Sequence, residues 1–362
     1  MPLSKVDPKH YTEIFKTKAD VVSKLFSELQ HPEIERHSSP DSSYRMRAEF
    51  RIWHQEDDLY YAMFEPEDPK KPCRIEAFPI ASSVIQRLMP VLLEKLKNNT
   101  SLRNRLFQVE FLSTQIHEVL VSLIYHRRLD EQWKTEADAL AKELDIALIG
   151  RSRKQKVVIN RDYVEEQLTI NGDIYFYRQY EQSFTQPNAA VNQKMIAWAL
   201  SCAENCGADL IELYCGNGNF TLPLSRYFTR ILATEISKTS VRAALHNLQC
   251  NGIDNVDIIR MSAEDMSKAM AGERKFRRLR DLPLSGFNFS TVFVDPPRAG
   301  LDQLTESLLS HFDNIIYISC NPITLRANLE TLCKTHDIVR MAFFDQFPYT
   351  NHMESGVFLK RR

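Results

Sequence analysis

Asp209-Leu210-Ile211-Glu212-Leu213-Tyr214-Cys215-Gly216-Asn217-Gly218-Asn219-Phe220 is the stretch that decides the fold. A short apolar run that ends in two closely spaced glycines reads as a buried strand, Asp209–Tyr214, running into a tight turn. Runs of the same kind recur at Arg230–Thr234, Val256–Arg260, Thr291–Val294, Asn314–Ser319 and Ile338–Phe344, and Val357–Leu359 closes the series. The segments between them are amphipathic. Val241, Ala244, Leu245 and Leu248 make one apolar face, and Asn251-Gly252 stops that helix. Repeated βα units predict an α/β fold, a parallel sheet with helices on both sides. Arg274–Gly286 reads as a loop insertion.

Upstream of the helix expected at Asn188–Cys202 the style differs. Residues 1 to about 35 show helical spacing, and the polar stretch His37–Ser43 ends it. Met46, Ala48, Phe50 and Ile52 then alternate with polar residues as a strand does, and Leu59–Phe64 reads as its neighbour. A helix over Ser83–Lys97 and strands at Phe107–Leu112 and Val119–Tyr125 complete an α+β module. The expected division is residues 1–180 and residues 181–362, in keeping with a prior of about 100–200 residues per domain.

The chain has 362 residues, 46 basic and 47 acidic, for a net charge of -1. That balance excludes a protein coated in nucleic acid, so basic patches must be sought by position. No apolar run approaches the roughly 18 residues of a membrane span. Met1-Pro2-Leu3-Ser4-Lys5 lacks the apolar core of a signal peptide. A cytoplasmic protein without membrane contact is expected, acting as a monomer. Seven cysteines, an odd number, fit free thiols in a reducing compartment. Cys202 and Cys206 lie four apart on a helix, but no second pair or histidine completes a zinc site. Only Cys73 falls in the first 200 residues, so no N-terminal iron–sulfur cluster can form, and no metal is expected.

Three strand ends carry chemistry. The glycine turn has G-x-G but Thr221 where a dinucleotide fingerprint has its third glycine. A ligand without pyrophosphate fits better, and S-adenosylmethionine is the common one. Glu235 ends the next strand, where a carboxylate can accept from both ribose hydroxyls. Either feature alone could be an ordinary turn or a surface glutamate; their matched spacing favours the cofactor. Asp295-Pro296-Pro297-Arg298 ends a third strand. It is close to the Asp/Asn-Pro-Pro-aromatic motif of amino-group methyltransferases, but Arg298 replaces the stacking ring.

Cys320 follows Ile315-Ile316-Tyr317-Ile318-Ser319 and precedes a helix opened by Pro322. It could be a small buried residue. Its place before a helix N-terminus, which stabilises a thiolate and lowers its pKa, favours a nucleophile. Cys215 competes, although beside the glycine turn it fits better as pocket lining. A thiolate beside a methyl donor suits carbon 5 of uracil, which becomes nucleophilic only after a thiolate adds to carbon 6. A base must then remove the carbon 5 proton, and Glu354 is the candidate, with a solvated loop glutamate as the alternative.

Together these residues resemble the tRNA (uracil-5-)-methyltransferase family. The resemblance covers most of the chain and includes Tyr44–His54, Ser183–Asn188, Glu212–Phe220, Val294–Arg298, Tyr317–Pro322, Phe344–Tyr349 and His352–Glu354. It implies a Rossmann-like S-adenosylmethionine-dependent methyltransferase domain with an N-terminal α+β RNA-binding module. It implies Cys320 as nucleophile and Glu354 as base. It implies Gln186, Tyr214, Asn219, Glu235 and Asp295 as cofactor contacts. The implied product is 5-methyluridine at position 54 of the tRNA T-loop, with the related loop of transfer-messenger RNA (tmRNA) as a second candidate substrate. Two alternatives stand beside it: an RNA-binding, tRNA-folding factor, and a ribosomal-RNA methyltransferase. The second is disfavoured by the missing cysteine cluster and N-terminal barrel.

A T-loop uridine must be pulled from its stack at a cost of a few kcal/mol. Basic and aromatic residues of the N-terminal module could offset this. The candidates are Arg45, Arg47 and Arg51; Phe107 beside Arg103 and Arg105; His126-Arg127-Arg128; and Arg151-Ser152-Arg153-Lys154. Exposed strand arginines are often merely solvated, and Phe107 could belong to the core.

Overall fold

The computed structural model describes residues 6–65 and 68–362. The N-terminal half contains α1 (Tyr11–Ser23), β1 (Ile34–His37), β2 (Arg47–Gln55), β3 (Asp58–Glu65), β4 (Asp68–Arg74), α2 (Ser83–Asn98) and α3 (Thr100–Arg103). It continues with β5 (Leu106–Ser113), β6 (Val119–Tyr125), α4 (Glu131–Leu144), β7 (Ala147–Ser152), β8 (Gln155–Val158), β9 (Tyr163–Ile170) and β10 (Asp173–Tyr180). Then come α5 (Ala189–Ala203), β11 (Asp209–Leu213), α6 (Thr221–Leu224), β12 (Arg230–Glu235), α7 (Lys238–Cys250), β13 (Val256–Arg260) and α8 (Ala263–Met270). The chain ends with β14 (Phe289–Val294), α9 (Gln303–Leu309), β15 (Asn314–Ser319), α10 (Pro322–Leu332), β16 (His336–Phe344) and β17 (Glu354–Arg361).

The second half builds a sheet in the order β1-β16-β17-β15-β14-β11-β12-β13. It is parallel except for β17, which runs antiparallel to both β15 and β16. Both faces are apolar, as a covered parallel sheet requires. Ile315 and Tyr317 of β15 pack with Leu325 and Leu329 of α10. Ile316 and Ile318 turn the other way, into a core with Met195, Ile196 and Trp198 of α5. Each such buried side chain contributes about 1.5–3 kcal/mol. Asn188 caps α5 by accepting from the Val191 amide, and Asn321 caps α10 in front of Pro322.

The first half builds a seven-stranded sheet, β4-β3-β2-β5-β6-β7-β8, and β9 and β10 form a separate hairpin. Chain order and sheet membership part at β1. It lies within residues 1–180 yet pairs parallel with β16, Ile34 opposite Met341. Glu35 holds it there by ion pairing with Arg340 at 2.8 Å and accepting from the Trp198 indole at 3.1 Å. Ile34-Glu35-Arg36-His37 is too polar to read as a strand. Edge pairing supplies what its pattern lacks.

Candidate active site

In the large sheet β11 lies between β12 and β14, so the connections diverge at its carboxyl end and open a crevice there. The strand stops at Leu213, and Tyr214 adopts φ 65°, a left-handed conformation unusual for a residue with a β carbon. Gly216 and Gly218 follow at φ 58° and 85°. A non-glycine residue held in such a conformation just ahead of two glycines marks a site where geometry outranks local stability. The Glu235 carboxylate accepts from the Gly216 amide at 3.1 Å and from the Ser237 amide at 2.6 Å. It thus ties the turn to the start of α7 and keeps further lone pairs facing the crevice.

The crevice is a cavity of about 670 Å³, and Gln186, Tyr214, Asn219, Glu235, Asp295, Cys320 and Glu354 all line it. The strands place them. Asp295 follows β14, Cys320 follows β15, and Glu354 opens β17, two residues before the Gly356 that pairs with Ile318. Two of the expected cofactor contacts have their amides engaged with protein. Asn219 exchanges two hydrogen bonds with Asn192, at 2.8 and 2.9 Å. Gln186 accepts from Gln346 at 3.0 Å.

The Cys320 thiol has other neighbours besides the helix N-terminus. Burial, the carboxyls of Glu354 and Asp295, and only partial compensation by Arg298 push its pKa up to about 11. The helix N-terminus is outweighed by burial first and by the two acids after it. Burial raises Asp295 to about 7. Glu354 is driven well above the ordinary carboxyl range by burial and by Asp295, and its Oε2 has no protein partner. Glu212, buried in β11 with Oε2 also unpartnered, is raised to about 8, chiefly by burial. A group added between Cys320 and Glu354 would therefore meet one thiol and two acids that hold protons readily at neutral pH.

The cavity fits S-adenosylmethionine on observations of its own. Gly216 has open space where a β carbon would stand. Phe184 and Ile236 line the wall while 71% and 66% exposed, apolar surfaces that a flat purine would cover. Sequence reading missed Ile236, Asn192 and Glu166. Ile236 follows Glu235 directly, so its position was legible. Glu166 was not, because β9 turns it inward among Val164, Leu168 and Ile170, interrupting their apolar pattern.

The tRNA (uracil-5-)-methyltransferase family model matches residues 10–362. The chain belongs to that family. It is 54% identical over 361 residues to the tRNA/tmRNA (uracil-C(5))-methyltransferase of Saccharophagus degradans, covering 99% of each chain. It is 55% identical over 357 residues to the enzyme of that name from Neisseria meningitidis serogroup B, covering 97% of this chain and 99% of the other. The tRNA (uracil-54, C5)-methyltransferase of Pyrococcus abyssi, solved with S-adenosyl-L-homocysteine, shares the fold with a TM-score of 0.73. There the identity is 19%, with 96% of this chain and 83% of that one covered. Among the described residues no helix is long and apolar enough to cross a membrane, and no group of three or more ligating side chains could hold a metal.

The N-terminal arginines of this family member divide into two kinds. Arg47 is turned inward, donating to the carbonyls of Glu181 and Ser183 at 3.1 and 3.0 Å. Arg127 donates to three carbonyls, and Arg151 pairs with Glu181. These hold the fold. Arg128, Arg153 and Lys154 are exposed and line a hollow of about 730 Å³ with His126. Beside it Arg51 lies 3.7 Å over the Phe107 ring, whose centroid is 3.9 Å from that of His126. Phe107 is therefore half-buried in a surface stack, not in the core.

Proposed function

We propose that this protein methylates carbon 5 of uridine 54 in the tRNA T-loop, and the equivalent uridine of tmRNA, with S-adenosylmethionine as methyl donor. The observation that carries this is one cavity lined by Cys320, Glu354, Asp295 and the glycine turn with Glu235. The names of the relatives support it. Residues 1–180 supply RNA recognition and residues 181–362 the chemistry.

S-adenosylmethionine supplies an electrophilic methyl group on its sulfonium. Cys320 as thiolate adds to carbon 6 of the uracil, and the double-bond electrons move to give an enolate nucleophilic at carbon 5. Once carbon 5 carries the methyl group, the Glu354 carboxylate takes its proton. The freed electron pair rebuilds the C5=C6 bond and expels the Cys320 thiolate. Asp295, in the same cavity, adds negative charge that disfavours the free thiolate. Arg298, whose charge lowers the thiol pKa, steadies the enolate oxygen in this reading. The exposed Arg128, Arg153 and Lys154 and the Arg51–Phe107–His126 stack suit phosphate contact and base stacking.

The test uses T-loop RNA bearing 5-fluorouridine at the target, with S-adenosylmethionine. Fluorine cannot leave as a proton, so the wild type should form a protein–RNA band stable on a denaturing gel, and Cys320→Ala should not. Methylation of ordinary tRNA without any such band would refute the covalent route. Neither band nor methylation would refute the substrate.

A further inference from the structure

We infer that Lys18, on the N-terminal helix α1, is a positioning residue for the base Glu354; this rests on the function just proposed. β16 and β17 pair antiparallel with Phe344 opposite Glu354, so residues 345–353 form the loop that delivers the base. Lys18 reaches that loop from α1. Its side chain is 7% exposed, and its ammonium group donates to the Asp345 carboxylate, to the Phe347 carbonyl at 3.1 Å and to the His352 carbonyl at 2.8 Å. Three donors thus meet three acceptors, which is the full capacity of a lysine.

The acceptors bracket the loop. Asp345 is its first residue and His352 its last but one. Between them Thr350 closes the turn, its hydroxyl donating to the Phe347 carbonyl at 2.8 Å and accepting from the His352 amide at 3.2 Å. Tyr11, also on α1, donates to the second Asp345 oxygen at 2.9 Å and accepts from the Ser39 amide at 2.7 Å. The Tyr349 hydroxyl donates to the Asp41 carbonyl at 2.5 Å, and Tyr349 itself sits at φ 63°. The segment before the base is held from the N-terminal side at Asp345, Phe347, Tyr349 and His352, and from the catalytic side at Gln346, which donates to Gln186. Glu354 lacks a partner for Oε2, so nothing at the carboxyl itself fixes its aim. Its direction is set by the backbone that Lys18 clips.

Proton removal is the last chemical step, so a misplaced base leaves the earlier steps intact. With Lys18→Met, the rate of adduct formation on 5-fluorouridine RNA should stay within about threefold of wild type. Turnover on ordinary T-loop RNA should fall by tenfold or more, up to the roughly 10²–10⁴ that a general base supplies. A covalent adduct with ordinary RNA should then accumulate on a denaturing gel, as it should for Glu354→Gln. If adduct formation and turnover fall together, Lys18 is only structural and the inference is overturned; unchanged turnover overturns it equally. If Lys18→Met does not fold, Tyr11→Phe, which removes one hydroxyl from the same carboxylate, is judged by the same split. If Glu354→Gln turns over like wild type, the base assignment itself fails and takes this inference with it.

Discussion

A β carbon placed on Gly218 would lie 2.5 Å from Cδ1 of Leu222, one turn further along the chain. Gly218 also holds φ 85°. Gly216, at φ 58°, has nothing within 4 Å of the same position. The two glycines of the turn therefore serve different ends, and substitution should tell them apart. Gly216→Ala should cost about 1 kcal/mol from the left-handed backbone alone. Gly218→Ala adds overlap in a packed place and should cost about 2 kcal/mol or more. Urea unfolding should show the larger loss for Gly218→Ala, whereas calorimetric titration with S-adenosylmethionine should show the larger affinity loss for Gly216→Ala, whose β carbon would enter the cavity. Equal effects would refute the steric account.

The raised Cys320 pKa sets a pH dependence. With a pKa of about 11 the thiolate fraction at pH 7 is roughly one in 10⁴, and it grows tenfold per pH unit. Adduct formation with 5-fluorouridine RNA should therefore rise from pH 7 to 9 with a logarithmic slope of about 1. Asp295→Asn removes one of the two acids and should raise the rate at pH 7. A flat profile would mean that bound RNA, not the free enzyme, sets the thiolate fraction.

Glu212 ties stability to pH. Its folded pKa, about 8, lies above the unfolded value, so between pH 5 and 8 the folded state holds a proton that the unfolded state has released. That contribution is present at low pH and is lost as pH rises. Glu212→Gln keeps the shape without the titration. Relative to wild type it should gain stability on the order of 2 kcal/mol between pH 5.5 and 8, read from urea midpoints. A constant difference across that range would show Glu212 ionised in the fold.

The hollow lined by Arg128, Arg153 and Lys154 should be felt as salt dependence. Replacing Arg128 and Lys154 together by alanine should weaken T-arm binding at every sequence. The slope of log affinity against log salt should shrink by about 0.7–0.9 for each lost phosphate contact. Arg47→Ala removes two carbonyl contacts and should lower the unfolding midpoint while leaving that slope unchanged. The reverse pattern would exchange their roles.

Most of the catalytic sheet was legible because each strand declares itself locally. Six of its strands are apolar runs closed by a turn residue or a helix cap, and the chemistry sits in the residues just after them: Tyr214 to Asn219, Glu235, Asp295 and Cys320. That order is a property of the chain, since a strand's end is where it stops being apolar. Legibility failed where the signal is made between elements. β1 became a strand only by pairing with β16. Glu166 and Arg47 are polar residues turned inward, a choice that no alternating pattern announces. The arginines of β2 look alike in sequence, and only their partners distinguish fold-holding Arg47 from Arg51 on its aromatic stack.

By itself the sequence determined the α/β class, the cysteine, the carboxylates and the glycine turn, because these depend on residue type and near neighbours. Tertiary structure alone decided the charge state of the thiol. Asp295, Cys320 and Glu354 stand at the ends of three strands, β14, β15 and β17, and the two acids act on the thiol only once the sheet has formed. It also decided that α1, hundreds of residues from Glu354 in the chain, supplies the ammonium group that holds the loop before it. Separation along the chain hides such contacts, since nothing in Lys18's own neighbourhood points to Asp345.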